Sequence, residues 1–173
     1  MCETPQRDAR FAVIGKEEGG EMRYSKFSNA DENPGMVFWQ TYAIWHRKIL
    51  GVLRGYNLTH TQFILMAVIR GLVDEDEEVT LEAVSTVSKV DVSIITMSVR
   101  LLERRRLVIR SAPEGKAEEG LPSDLSLTAE GERVLRRANK AVEKADANFF
   151  FMDATLQGTL ICLLKKLMRE PVE

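Results

Sequence analysis

Apolar residues recur at helical spacing along most of this chain, and polar, turn-rich stretches divide the periodic segments. From Met36 onward, Val37, Phe38, Ala43, Ile44, Leu50 and Leu53 follow a period near 3.6 residues, which predicts a first helix from about Gly35 to Arg54. Thr59 is placed to cap a second helix, about Thr61 to Leu72, whose stripe is Phe63, Leu65, Met66, Val68, Ile69 and Leu72. The acidic loop Asp74 to Glu78 ends it. Thr80 caps a short third helix reaching Val87, Lys89-Val90 is a turn, and Asp91 is positioned to cap a fourth helix through Arg105. The buried face of that fourth helix is expected to be Ile95, Val99 and Leu102, with Val92 near its start.

The period then changes. Leu107 to Arg110 reads as a strand, residues 111–124 hold Pro113, Gly115, Gly120 and Pro122 as a hairpin loop, and Asp124 to Leu127 alternates as the return strand. Thr128 caps a long final helical region carrying Val134, Leu135, Val142, Phe149, Leu156, Leu160, Leu163 and Leu167, with Gly158 as the expected break. Residues 1–33 show no lasting periodicity and are expected to be a flexible N-terminal tail, or a short arm that packs on a partner subunit.

The order helix, helix, short helix, turn, helix, two-stranded ribbon is that of a winged helix-turn-helix, in which the helix after the turn enters the DNA major groove. The predicted fold is therefore mainly α: a winged helix-turn-helix DNA-binding lobe with a two-stranded β wing (58–140), a first dimerisation helix (34–57) and C-terminal dimerisation helices (141–173). The helix after the turn and its exit hold Arg100, Arg104, Arg105, Arg106 and Arg110, the densest basic cluster in the sequence. Such a cluster neutralises phosphates, while Ser93, Ile94, Thr96 and Met97 in the first turns face base edges. Five arginines also suit a solvated face with ordinary surface pairs, and the order of elements favours DNA.

Asp91 through Arg110 resembles the recognition helix and first wing strand of the multiple antibiotic resistance regulator (MarR) family. Glu114-Gly115-Lys116-Ala117 is similar to that family's wing motif, and Leu127-Thr128-Ala129-Glu130-Gly131 to its strand-to-helix motif. The likeness runs over about residues 33–168 and includes Pro34-Gly35 ahead of the Trp39 helix and Leu58-Thr59 to Gln62-Phe63. It implies a cytoplasmic, ligand-responsive repressor that binds a pseudo-palindromic operator in double-stranded DNA as a homodimer, with Ser93, Ile94, Thr96, Met97, Arg100, Arg104 and the wing residue Lys116 at the DNA. It also implies a small aromatic effector, for which Trp39, Tyr42, Trp45, His46 and Met66 form a candidate pocket. Core packing accounts for the same five residues without a ligand. The sequence departs from the family in three respects. Arg106 replaces a helix-terminal glycine, which makes a left-handed cap there strained. Lys116 replaces the wing arginine in a longer wing with Glu118 and Glu119, and apolar Ile94 and Met97 stand where polar residues commonly read bases. A winged-helix module that binds protein instead of DNA is the alternative.

Composition narrows the remaining possibilities. With 173 residues and 45% hydrophobic content the chain can bury a core, and its longest apolar runs are too short for a membrane span. The net charge is only -2, so the distribution of charge carries the nucleic-acid argument. His46 and His60 are the only histidines, with no cysteine or carboxylate at ligand spacing, and no glycine-rich phosphate loop occurs. Neither catalysis nor a cofactor or metal is expected. Cys2 and Cys162 lie at opposite ends of the sequence, and Cys162, among leucines, is expected to be a buried, inert thiol rather than an oxidant sensor.

Overall fold

A computed structural model describes residues 30–111, 124–151 and 153–169. The chain divides into two compact units, Met1–His46 and Arg47–Glu173. Among the described residues of the first unit, Ala30–Glu32 form a 3-10 turn, and helix α1, Pro34–Leu53, begins there and continues into the second unit. Asn33 starts α1: its side-chain oxygen accepts from the backbone N–H groups of Gly35 at 3.0 Å and Met36 at 3.2 Å, satisfying donors that the first helical turn leaves orphaned.

The second unit continues with α2 (His60–Asp74), α3 (Leu81–Ser88), α4 (Val92–Arg104), β1 (Val108–Ser111), β2 (Asp124–Leu127), α5 (Ala129–Phe149) and α6 (Ala154–Leu167). Its winged helix-turn-helix order is the one expected. Three threonines start three of these helices. Thr59 accepts from Gln62 N while the Gln62 side chain accepts from Thr59 N, Thr80 accepts from Ala83 N, and Thr128 accepts from Gly131 N. Asp91 occupies the corresponding place before α4, but its side chain makes no capping hydrogen bond. Val92, expected near the buried face, is exposed, whereas Ile95, Val99 and Leu102 are fully buried.

The core gathers Ile49 and Leu53 from the end of α1, Leu65, Met66 and Ile69 from α2, Val84 from α3, the three α4 residues, and Val108 and Leu125 from the strands. The strands pair antiparallel, Val108 opposite Leu127 and Ser111 opposite Asp124. Leu125 N also donates to Val79 O at 2.9 Å, which ties the ribbon to the entry of α3. The hairpin loop and its Lys116 lie outside the described residues.

Two expectations are corrected after β2. The final helical region breaks between Phe149 and Ala154, not at Gly158, because Asp153 accepts from Thr155 N at 2.9 Å and Leu156 N at 3.0 Å and so starts a new helix. Gly158 continues within α6, where a glycine costs only about 1 kcal/mol relative to alanine. Cys162 is exposed rather than buried, since α6 buries none of its residues.

Candidate nucleic-acid interface

The presentation of α4 begins with the turn before it. Lys89 adopts a left-handed conformation at φ 58° and its N–H bonds Ser85 O at 2.9 Å, which closes α3. Ser85 donates its hydroxyl to Val90 O at 2.8 Å, and Ser88 accepts from Val90 N at 3.2 Å. Two serines and a left-handed lysine therefore hold the three residues between α3 and α4, a role the sequence pattern does not announce.

On α4, Ser93, Ile94, Met97, Arg100, Leu101 and Arg104 are exposed, opposite the buried Ile95, Val99 and Leu102. Thr96 is only part-exposed, and its hydroxyl donates to Val92 O at 2.8 Å, so it serves the helix backbone. The helix thus shows solvent a band of Ile94, Met97 and Leu101, with Met97 65% exposed. Arg100 and Arg104 project from its later turns.

The arginine cluster divides by geometry into two groups. Arg105 donates to Asn57 O at 2.6 Å and reaches Tyr56 O at 3.4 Å, pinning the end of α4 to the turn before α2. Arg110 donates from Nε to Glu103 Oε1 at 3.1 Å, joining β1 to α4. Arg100 and Arg104 make no hydrogen bond or ion pair among the described residues, so their charge is available to a partner.

The exit of α4 is built tightly. Arg106 takes φ 56°, the left-handed conformation for which the family uses glycine. Its N–H bonds Glu103 O at 2.8 Å, and Leu107 N bonds Leu102 O at 3.0 Å. This paired arrangement closes a helix, and burial of both Leu102 and Leu107 supports it. The backbone geometry is kept and the arginine carries the strain. From the other side, Thr128 donates its hydroxyl to Arg106 O at 2.7 Å and its N–H to Leu107 O at 3.0 Å. Gly131 lies so close that a Cβ there would stand 2.0 Å from Leu107 O. The Leu127-Thr128-Ala129-Glu130-Gly131 motif is therefore a clasp between the root of the wing and the end of α4.

Of the candidate effector residues, Trp39, Tyr42, Trp45 and His46 form a ladder of rings along α1. Tyr42 stacks on His46 with centroids 5.1 Å apart and lies 6.2 Å from Trp39 and 5.9 Å from Trp45. Trp39 and Tyr42 are exposed, so core packing does not account for them, whereas Met66 is fully buried in the core of the second unit. Among the described residues no group of three His, Cys, Asp or Glu side chains is arranged to hold a metal ion, and no single helix is long and apolar enough to cross a membrane.

A solvent-facing helix with unpaired arginines, delivered by a short fixed turn and followed by a two-stranded ribbon, defines a winged helix-turn-helix protein of the DNA-binding class. No family model matches the chain. A Bacillus subtilis (strain 168) protein described as an uncharacterized HTH-type transcriptional regulator, YdcH, is 33% identical over 127 residues, covering 73% of this chain and 84% of its own length. The fold resembles that of BpsR from Bordetella bronchiseptica, a protein whose DNA binding is regulated by 6-hydroxynicotinic acid, at TM-score 0.72 and 16% identity over 88% of this chain and 100% of that one. It also resembles an Escherichia coli MarR variant complexed with operator DNA, at TM-score 0.67 and 20% identity over 77% of this chain and 91% of that one. The chain belongs to the MarR family of HTH-type transcriptional regulators.

Proposed function

We propose that this protein is a ligand-responsive repressor that binds a pseudo-palindromic operator as a homodimer in the cytoplasm, with no catalytic role. The observation that carries the reading is the division of the arginines: Arg105 and Arg110 are spent on the fold, while Arg100 and Arg104 stand unpaired on the helix that this architecture directs at the major groove. Ser93, Ile94 and Met97 then face base edges, with Thr96 behind them, and Lys116 on the wing reaches flanking phosphate.

Dimerisation is supported by α6, where Leu156, Ile161, Leu163, Leu164, Leu167 and Met168 are all exposed in the single chain. So large an apolar surface on one helix calls for a partner. The N-terminal part of α1 joins it in this reading, with residues 34–57 and 141–173 as the dimerisation segments and 58–140 as the DNA-binding lobe. The Trp39, Tyr42, Trp45 and His46 rings supply stacking surfaces for a small aromatic effector, and Met66 is the fifth residue of the candidate set. BpsR responds to a ligand of that chemistry.

One observation favours a second reading. The exposed Ile94, Met97 and Leu101 resemble a protein-docking band as much as a groove-facing one, which suits a winged-helix interaction module. A gel shift of the purified protein on the DNA upstream of its own gene separates the two. The repressor reading expects a discrete complex, displaced by an excess of the unlabelled duplex, and no complex at physiological salt supports the interaction module.

A further inference from the structure

The exposed face of α4 carries chemistry that goes further than its being a DNA-reading helix, and the assignment of the bases it reads rests on the DNA-binding function proposed for it. Each base pair offers the major groove a distinct edge, and each edge asks for a particular side chain. Adenine is read in two-point fashion by Asn or Gln, cytosine by a carboxylate, guanine by Arg or Lys, and the thymine C5-methyl by an apolar group. Helix α4 contains no Asn or Gln, and its carboxylate, Glu103, is engaged by Arg110. The Thr96 hydroxyl is engaged by Val92 O. Arginines enter only from Arg100 onward, in the later turns, whereas in this architecture the N-terminal turns contact base edges most closely.

What those turns present, beside the Ser93 hydroxyl, which suits a donor or an acceptor edge and so selects no base, is Ile94, 46% exposed, and Met97, 65% exposed, with Leu101, 48% exposed, one turn further on the same face. We infer that the protein recognises its operator through thymine methyl groups, with Ile94 and Met97 packed against the C5-methyls of A·T pairs near the centre of each half-site. Arg100 and Arg104 lie at its edge, on phosphate. The apolar band on α4 is therefore complementary to a methyl-lined groove, and the flanking positive charge selects a polyanion over an apolar protein surface.

The test begins with the full-length protein and a pool of randomised duplexes, from which bound sequences are selected. Thymines in the selected site are then replaced by deoxyuridine, which differs from thymine in lacking the methyl group. Loss of one packed methyl weakens binding about fourfold, so the change made in both half-sites weakens it by about an order of magnitude. Met97→Ala abolishes the difference between thymine and deoxyuridine duplexes at the position it contacts, and Met97→Leu, still apolar, retains it. Met97 is exposed, so neither change disturbs the core. A selected site that binds equally well with deoxyuridine, or one rich in G·C pairs whose recognition is lost in Arg100→Ala, overturns the inference while leaving DNA binding intact. Failure of the pool to yield any bound sequence, with no complex on random duplex at low salt, overturns the DNA-binding reading beneath it as well.

Discussion

Replacing Gly131 by alanine sets helix propensity against the clasp at the end of α4, and the two predict opposite signs. Propensity alone favours alanine in a helix by about 1 kcal/mol. In the structure the new Cβ would stand 2.0 Å from Leu107 O, a distance that must open to at least 3.4 Å for ordinary contact. The atom in the way belongs to a backbone carbonyl, which cannot rotate aside as a side chain does. Leu107 O accepts from Thr128 N, and the neighbouring Arg106 O accepts from the Thr128 hydroxyl, so retreat of either backbone strains or breaks both bonds. At about 1 kcal/mol for each bond and about 1–3 kcal/mol for overpacking, the cost is about 3–5 kcal/mol, and the net destabilisation after the propensity gain is about 2–4 kcal/mol. Gly71→Ala provides the control, because Gly71 also lies in a helix and a Cβ there meets nothing within 4 Å; it is expected to stabilise by about 0.5–1 kcal/mol. Equilibrium urea unfolding followed by circular dichroism, at one fixed protein concentration because assembly shifts apparent stability, measures both. A Gly131→Ala protein as stable as the wild type, or more so, would show that α5 and the wing root are not in the close contact described.

Three more outcomes are expected from the same geometry. Arg106→Gly relieves the left-handed arginine and should raise stability by about 0.5–1 kcal/mol in the same urea assay, the steric gain being partly offset by glycine's greater freedom in the unfolded chain. Arg105→Ala and Arg100→Ala should separate fold from binding: the first lowers the unfolding free energy by about 1 kcal/mol through loss of its bonds to Asn57 O and Tyr56 O, with the salt dependence of DNA binding unchanged, and the second does the reverse. Changing Leu156 and Leu163 together to glutamate places charge on the exposed apolar face of α6 and should convert a dimer to a monomer or an aggregate in sedimentation velocity; an unaltered dimer would remove α6 from the interface.

Much of this architecture was legible because its signals are local. A hydroxyl at Thr59, Thr80 or Thr128 ahead of a periodic apolar stripe marks a helix start whatever the tertiary structure, and Ile95, Val99 and Leu102 declare the inner face of α4 by spacing alone. What stayed hidden depends on contacts distant in sequence or on a partner. Arg100 and Arg105 are the same residue type little more than one turn apart, and only the approach of Asn57 and Tyr56 to Arg105 makes one structural and leaves the other free. The break before α6 is not marked in the sequence because Asp153 follows the apolar run Phe149-Phe150-Phe151, whereas Gly158, the better helix breaker by residue type, is accommodated within α6. Leucines around Cys162 suggest burial, yet Leu163 and Leu164 are themselves exposed and Leu160 is half-buried within the single chain, so any fuller burial there belongs to an assembly. At Arg106 the residue type argued against a left-handed cap, but two backbone bonds and the buried Leu102 and Leu107 impose it.

The central proposal, that α4 delivers the unpaired Arg100 and Arg104 to DNA phosphate and that Lys116 joins them there, is tested most directly by the salt dependence of binding. The measurement is the slope of log K against log salt, by fluorescence anisotropy on one duplex, for the wild type and for the variant with Arg100, Arg104 and Lys116 all changed to alanine. Each phosphate contact contributes a slope of about 0.9, and a dimer carries each residue twice, so the triple variant should lose about five units of slope along with most of its affinity while its unfolding curve is unchanged. An unaltered slope and affinity in a correctly folded triple variant would contradict the account and assign the exposed face of α4 to a protein partner.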